Sequence, residues 1–149
     1  MNGWNPQDNE MLMRLFVATL CGSLIGFERE IHGKMAGLRT HALVSLGSAL
    51  IMVVSIDMFA AYRGIAAVDP TRIAAQVVSG VGFLGAGAII RFPTGIRGLT
   101  TAASLWVVSA IGLAAGAGFF KPVFVATVLV LVVLVLFAQI GRFLGWKDV

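Results

Sequence analysis

The sequence has few charged residues and a single cysteine. Aspartate, glutamate, lysine and arginine make up 12% of the 149 residues, whereas 58% are hydrophobic and the mean hydropathy is +0.94. So little charge excludes an ordinary soluble surface. The lone Cys21 excludes an intrachain disulfide and a metal site built from several cysteines. The chain is therefore predicted to be an integral membrane protein.

The apolar runs do not alternate with polar residues, which excludes the segments of a membrane β-barrel. The 18 glycines and only 4 prolines favour helices whose backbones approach closely. We predict an all-α integral membrane protein, a single transmembrane domain over residues 1–149 with about five transmembrane helices. The predicted spans are residues 11–27, 42–62, 70–90, 100–117 and 123–140.

Polar segments are predicted to connect these spans. Residues 1–9 read as a terminal arm, 28–41 as an interfacial loop, 91–98 as a polar turn, and Lys121 with Pro122 as the next turn. A weak similarity between 26–45 and 82–104 indicates two repeated hairpins plus a fifth helix, with chance as the alternative explanation.

The basic residues favour one orientation. Five spans place the termini on opposite sides, and more lysine and arginine lie on the side that holds loop 28–41, loop 91–98 and the C-terminal tail. The positive-inside rule then places the N-terminus outside and the C-terminus in the cytoplasm. The acidic start of the chain lacks the basic region of a cleaved signal peptide, so none is expected.

The third span begins with a strong helix signal. Asp69 is suited to cap the free N–H groups of a helix that starts at Pro70. Asp69, Arg72 and Gln76 are spaced to share one helix face, and Asp57 of the second span is expected at similar depth. Two interpretations stay open: a structural cap with interhelical hydrogen bonds, or a polar site whose oxygen ligands suit Mg²⁺. Arg72 argues against the cation, since it would neutralise a carboxylate.

The glycines are interpreted as packing positions. Gly80, Gly82 and Gly85 match the dinucleotide-binding fingerprint literally, but they lie inside a bilayer-length helix with no preceding strand. Close helix packing is the simpler explanation. The predicted packing set is Gly22, Gly26, Gly80, Gly82, Gly85, Gly87, Gly112 and Gly116.

The predicted cytoplasmic side holds a second polar group. Arg39 or Arg97 is expected to bind Glu28, last-turn carbonyl groups or a lipid phosphate. His32 and His41 are interpreted as interfacial residues, because neither belongs to a ligand-like cluster. No nucleophile and base pair is recognisable, so we expect neither an enzyme nor a cofactor.

Four segments together resemble the N-terminal membrane domain of the MgtC/SapB family: Gly26-Phe-Glu-Arg-Glu, Gly37-Leu-Arg-Thr, the run from Asp69 to Gly87, and Arg97-Gly-Leu-Thr-Thr-Ala-Ala-Ser-Leu-Trp. The resemblance marks as the family's polar signature Glu28, Arg39, Thr40, Asp69, Arg72, Gln76, Arg97 and Thr100. It implies a multi-pass protein of the bacterial inner membrane, linked to growth under magnesium limitation and, in intracellular pathogens, to survival in the host. Longer members carry a soluble domain after the last span, and this sequence is expected to lack one.

Two functions follow from the resemblance and the residues. The first is a non-enzymatic membrane protein supporting magnesium or ion homeostasis by modulating a membrane complex such as the ATP synthase. The alternative is a small oligomeric transporter or channel using Asp57, Asp69, Arg72 and Gln76. The expected partners are the lipid bilayer, a second copy of the chain or that membrane complex, and not nucleic acid.

Overall fold

The computed structural model describes residues 6–65, 69–93 and 95–145, and most of them are helical. The elements are α1 (Pro6–Ile31), α2 (Leu38–Tyr62), α3 (Pro70–Ala88), β1 (Ile90–Phe92), β2 (Gly95–Arg97), α4 (Leu99–Gly116) and α5 (Phe120–Phe143). The predicted all-α membrane bundle is confirmed.

Within the described residues, four helices are long and apolar enough to cross a bilayer, namely α1, α2, α4 and α5. Helix α3 is not among them, because Arg72, Gln76 and several glycines lower its hydropathy. It nevertheless packs along α2 and α4. The Ser55 hydroxyl donates to the Pro70 carbonyl at its start, and Ala88 at its end packs against Gly98. That α3 is a membrane span stays a prediction.

Helix α1 is longer than the predicted span. Residues 6–9, expected in a terminal arm, are helical, while residues 1–5 lie outside the described part. At the other end α1 continues through Glu28 and Arg29 to Ile31. These two charges pair with each other and are buried, so they do not have to leave the helix for water. The predicted loop 28–41 therefore shrinks to residues 32–37.

The short connection between α1 and α2 is fixed by the chain itself. Gly33 takes the left-handed conformation with φ +61, which glycine adopts without a steric penalty. The Glu30 carboxylate then accepts a hydrogen bond from the Leu38 N–H at 2.8 Å. Glu30 of the preceding helix thus caps the start of α2. The N-cap residue of α2, Gly37, has no side chain that could form this hydrogen bond.

The predicted polar turn 91–98 contains a small antiparallel hairpin. Ile90 pairs with Arg97, Arg91 with Ile96 and Phe92 with Gly95. Alternating apolar and basic residues on both strands favour this pairing. Thr94 lies outside the described residues. The second predicted turn also differs, because Lys121 and Pro122 belong to the first turn of α5. Proline lacks an N–H group, which is tolerated there because first-turn N–H groups have no acceptor within the helix.

The two predicted hairpins are connected differently. Helices α1 and α2 meet at a glycine turn, whereas α3 and α4 are joined by the strand pair. Both second helices begin after a glycine, Gly37 for α2 and Gly98 for α4. The duplication stays a prediction.

Helix α4 lies at the centre of the bundle and α5 at its edge. In their most apolar windows, 50% of α4 but only 17% of α5 is buried. The largest core cluster joins α1, α2, α4 and α5 through Ala18, Cys21, Ile25, Ala49, Val108, Ile111, Ala115, Val123 and Leu134. Because α5 presents mostly Val and Leu outward, its outer face suits lipid.

Candidate functional site

Helix α2 is held between glycines of two neighbouring helices. A Cβ on Gly22 or Gly26 of α1 would come within 2.6 or 2.8 Å of α2, at the Ser45 Cβ and the Leu38 Cα. Further along α2, a Cβ on Gly112 or Gly116 of α4 would overlap the backbone carbonyl oxygens of Ser45 and Ala49. The Ser45 hydroxyl also donates to the Ala18 carbonyl at 2.7 Å. Helices α1, α2 and α4 therefore form one tightly packed unit.

The other predicted packing glycines lie on α3 and have a different environment. Gly85 faces Ala102 of α4, with ordinary contact at 3.6 Å. Gly80, Gly82 and Gly87 have no described neighbour within 4 Å of a Cβ position. Glycine alone thus does not distinguish a filled interface from an open helix surface.

A buried ion pair lies at the end of α1. Glu28 is 6% exposed and Arg29 is 3% exposed. The Arg29 Nε and Nη2 groups donate to the two carboxylate oxygens of Glu28, with Nη2 to Oε1 at 2.7 Å. His32 Nδ1 lies 3.1 Å from the same Oε1. Binding of Glu28 by Arg39 or Arg97 was one of the predicted alternatives, and the structure pairs Glu28 with Arg29 instead.

His41 is fully buried between α2 and α4, not interfacial as predicted. Its Nδ1 lies 2.9 Å from the Gly37 carbonyl oxygen, and its Nε2 lies 2.9 Å from the Ser104 hydroxyl. A carbonyl oxygen can only accept, so Nδ1 carries a hydrogen. Ser104 also lies 2.8 Å from the Thr101 carbonyl oxygen and links the ring to the first turn of α4.

The remaining signature residues at this end are exposed. Arg39 and Thr40 lie in the first turn of α2, and Thr100 lies in the first turn of α4. The Arg97 guanidinium lies 5.3 Å from the centroid of the Phe92 ring, a cation–π contact across the hairpin. These groups present a basic and hydroxyl-bearing surface at one end of the bundle.

Asp57 lies at the opposite end and faces α1. It lines a cleft of about 400 Å³ together with Asp8, Glu10 and Arg14. Arg14 binds Glu10 one turn away and donates to the Gly116 carbonyl at 2.9 Å. Arg14 therefore ties α1 to the end of α4, and Asp57 borders that contact.

Asp69 caps α3. Its Oδ1 accepts hydrogen bonds from the Thr71 hydroxyl at 2.7 Å and from the Thr71 N–H at 2.8 Å. These two bonds, the hydroxyl first, lower the pKa of the Asp69 carboxyl. Among the described residues, no side-chain hydrogen bond or salt bridge joins any two of Asp57, Asp69, Arg72 and Gln76. The same residues contain no group of three His, Cys, Asp or Glu side chains that could hold a metal ion.

The capping role predicts a specific pH dependence. Because the folded-state pKa of Asp69 is lowered, its stabilising contribution is present at neutral pH and is lost as the pH falls through the lowered value. We expect Asp69→Asn to keep the cap and lose this acid dependence, and Asp69→Ala to lose the cap at every pH. Hydrogen exchange of α3 peptides between about pH 3 and about pH 7 measures this. Equal protection in Asn and Ala variants would contradict the cap.

Gln76 lines an open apolar groove between α2 and α3. The groove has a volume of about 620 Å³, and Gln76 and Ser48 are its polar side chains. The Ser48 hydroxyl donates within α2 to Val44. The side chain of Gln76 therefore supplies the free hydrogen-bonding groups of this groove. Arg72 lies one turn before it and is exposed.

Sequence reasoning missed several interior residues. Arg29, His41, Thr101 and Ser104 are all buried, and the His41–Ser104 contact joins α2 to α4. One signal was present: hydroxyl and histidine side chains inside apolar spans usually face helix neighbours. The spacing of Ser104 and Thr101 within one helix turn would have placed them on one face.

The fold and these residues can now be compared with known proteins. Residues 15–143 match the MgtC family. This chain belongs to the MgtC family. The match covers α2 to α5 and α1 from Leu15 onward, including the buried pair of α1 and the cap of α3. No solved structure matches the chain.

Three relatives show the extent of this similarity. The chain is 47% identical over 133 residues to the Escherichia coli K12 protein named "Putative magnesium transporter YhiD", covering 88% of this chain and 62% of that protein. It is 43% identical over 129 residues to SapB of Bacillus subtilis, covering 84% and 55%. It is 46% identical over 120 residues to MgtC of Salmonella typhimurium, covering 80% and 49%. The chain thus spans about half to three fifths of the length of these curated relatives.

Proposed function

We propose that this protein supports adaptation to magnesium limitation from the bacterial inner membrane by binding a helix of another membrane complex, without carrying ions itself. The family resemblance implies the ATP synthase as that complex. The binding surface is the groove between α2 and α3. The link to magnesium is supported by the relative YhiD, which is named as a putative magnesium transporter.

The observation that carries the proposal is a pair of open glycines facing this groove. Gly47 of α2 and Gly80 of α3 both line it, and neither has a described neighbour within 4 Å of a Cβ position. Small residues let membrane helices approach closely, and Gly22, Gly26, Gly112 and Gly116 of this bundle each have the α2 backbone packed against them. A partner helix would pack against Gly47 and Gly80, as α2 packs against the glycines of α1 and α4.

The lining of the groove supports a helix as the occupant. Its wall consists of aliphatic residues on two roughly bilayer-length helices, with the Gln76 amide as the polar group. An amide facing a helix interface in lipid forms a hydrogen bond with the partner. The groove therefore offers both close backbone approach and one directional contact.

Charge asymmetry supports the proposed orientation. The end that holds the α1–α2 turn and the hairpin carries Arg29, Lys34, Arg39, Arg91, Arg97 and Arg142 against Glu28 and Glu30. The other end carries Arg14, Arg63, Arg72 and Lys121 against Asp8, Glu10, Asp57 and Asp69. The positive-inside rule assigns the first end to the cytoplasm, which leaves the N-terminus outside.

A transporter is the second candidate function. The printed name of YhiD favours it, and so does the polar cleft that contains Asp57. Asp57 with Glu10 and Asp8 would supply oxygen groups to a hydrated cation. In this single chain, however, Arg14 borders the cleft and already binds Glu10.

The groove predicts the outcome of a copurification experiment. We expect Gly80→Leu to remove bound ATP synthase subunits from the tagged protein extracted in mild detergent, since the leucine fills the place of the partner helix. Gly87→Leu is the matched control, because Gly87 is equally open on α3 but does not line the groove. Retention of the subunits by Gly80→Leu, or equal loss in both variants, would contradict the groove.

The same preparations separate the two functions. Reconstituted into liposomes, the wild-type protein is expected to pass neither Mg²⁺ nor H⁺ above the level of empty liposomes. Flux that disappears in an Asp57→Asn or Asp69→Asn variant would favour the transporter. Size-exclusion elution of each variant at the wild-type position is the control for folding.

A further inference from the structure

A second cavity lies where the first turn of α4 meets the end of α1 and the side of α5. It has a volume of about 380 Å³. Arg29, Lys34, Gly98, Thr100 and Thr101 form its polar wall, and the α5 segment from Val133 to Ala138 forms its apolar wall. No acidic residue lines it in the part of the chain that the structure describes. It lies apart from the groove of the proposed function.

Thr101 provides an unused hydroxyl inside this cavity. The residue is 4% exposed, yet its hydroxyl has no hydrogen-bond partner among the described residues. It lines both this cavity and the adjoining cleft next to the hairpin. The side chain is almost fully enclosed while its hydroxyl borders the cavity, so the hydroxyl is free to donate a hydrogen bond to a ligand bound there.

The start of α4 supplies further free donors. Its N-cap is Gly98 with φ 90, which has no side chain to accept hydrogen bonds from the first-turn N–H groups. The positive end of an 18-residue helix therefore opens toward the cavity. Thr100 adds a hydroxyl at the same turn.

Two cations complete the polar wall. Glu28 occupies the Nε and Nη2 groups of Arg29, but Nη1 has no hydrogen-bond acceptor among the described residues. Lys34 is exposed at the rim, and its backbone N–H bonds to the Arg29 carbonyl at 3.0 Å, which fixes the loop against α1. Since Glu28 balances Arg29, the net positive charge comes from Lys34 and the helix end.

We propose that this cavity binds a phosphate group between Thr101, Lys34 and the start of α4. Convergent N–H, hydroxyl and ammonium donors match the several acceptor oxygens of phosphate. The apolar α5 wall would contact the remainder of an amphipathic ligand. Both an anionic phospholipid headgroup and free phosphate present this chemistry, and the test distinguishes them.

The test measures binding to the purified full-length chain in a neutral detergent. The probes are inorganic phosphate, phosphatidylglycerol and phosphatidylcholine, and the readout is the rise of Tm with probe concentration. A rise with inorganic phosphate identifies free phosphate as a ligand. A rise with phosphatidylglycerol but with neither of the others identifies an anionic headgroup. Either result supports the proposal, whereas no rise with phosphate or phosphatidylglycerol overturns it.

Variants locate the binding. We expect Thr101→Val, which keeps the side-chain shape, and Lys34→Gln each to weaken the apparent affinity about tenfold. Lys121→Gln is the matched control, because Lys121 is an exposed cation at the opposite end of the bundle. Wild-type affinity in Lys34→Gln, or an equal loss in Lys121→Gln, overturns the proposal. Lys34 is exposed, so its variant gives a result even where Thr101→Val folds poorly.

Discussion

Gly112→Ala is expected to destabilise the bundle by about 1–3 kcal/mol or more, the range for overpacked interiors. The new Cβ would overlap the Ser45 carbonyl oxygen and would lie 2.9 Å from the Ser48 Cβ. The obstructing atom belongs to the backbone, so no rotamer change relieves it. Since Ser45 is also bonded to Ala18 of α1, a shift of α2 would disturb the α1 interface as well. Thermal denaturation in detergent, monitored by loss of the monodisperse size-exclusion peak, measures the effect.

Gly80→Ala is the matched control for this prediction. Gly80 has no described neighbour within 4 Å of a Cβ position. The same substitution should therefore leave the Tm unchanged or raise it slightly, since alanine favours a helix over glycine by about 1 kcal/mol. Equal destabilisation by both substitutions would show that glycine is needed for its backbone freedom. We expect the two variants to differ in stability because a neighbouring backbone leaves no room for a Cβ at Gly112, whereas a Cβ at Gly80 meets no described atom.

The class of the molecule and the start of α3 could be predicted from sequence because their signals are local. Continuous apolar runs of bilayer length identified the membrane helices. Asp69 before Pro70 identified the helix start, and the structure places the Asp69 carboxylate on the Thr71 N–H. Cap chemistry needs only neighbouring residues, so no tertiary information was required.

The lengths of α1 and α2 could not be predicted in the same way. Charged residues after Phe27 indicated a loop, because charges usually leave an apolar helix at its end. Glu28 and Arg29 remain helical since they neutralise each other, which depends on side-chain geometry between neighbours that hydropathy does not encode. Glu30 similarly caps a different helix.

The sequence also did not predict which residues face the interior of the bundle. Membrane helices are apolar on all sides, so the periodicity that marks the buried face of a soluble helix is weak. His41 was therefore interpreted as an interfacial residue. In the structure it lies inside the bundle and bonds to Ser104, which is 63 residues away in the sequence. For a related reason, Asp57 and Gln76 of the predicted polar site line different pockets among the described residues, and the site stays a prediction. Asp57 lies on a helix surface that packs toward α1, whereas Gln76 faces the groove beside α2.

The glycines connect fold and function. The same residue type is filled at Gly22 and Gly112 and open at Gly47 and Gly80. The filled glycines pack α1 and α4 closely against α2, and the open ones line the groove between α2 and α3. A protein that binds another membrane helix needs both features: a fixed frame, and a surface that is complete only when the partner is present.

Glu28→Ala is expected to be the most destabilising single change, by about 3–5 kcal/mol, because it leaves the Arg29 guanidinium buried without its carboxylate. The matched control is Glu10→Ala, which removes a carboxylate that is 60% exposed and pairs with the partly buried Arg14, and it should cost less, about 1 kcal/mol. Urea or thermal unfolding of the detergent-solubilised protein compares the two.

The double variant Glu28→Ala/Arg29→Met distinguishes a buried charge from a lost packing contact. Replacing both members of a buried ion pair with apolar groups is often close to neutral, so the double variant should regain most of the stability that Glu28→Ala loses. If it is no more stable than Glu28→Ala, the side-chain volume of Glu28 matters more than its charge. Arg29 is also one of the five residues in the polar wall of the proposed phosphate cavity, so the double variant should bind phosphate more weakly even when folded. Stability and phosphate affinity would then change in opposite directions relative to Glu28→Ala.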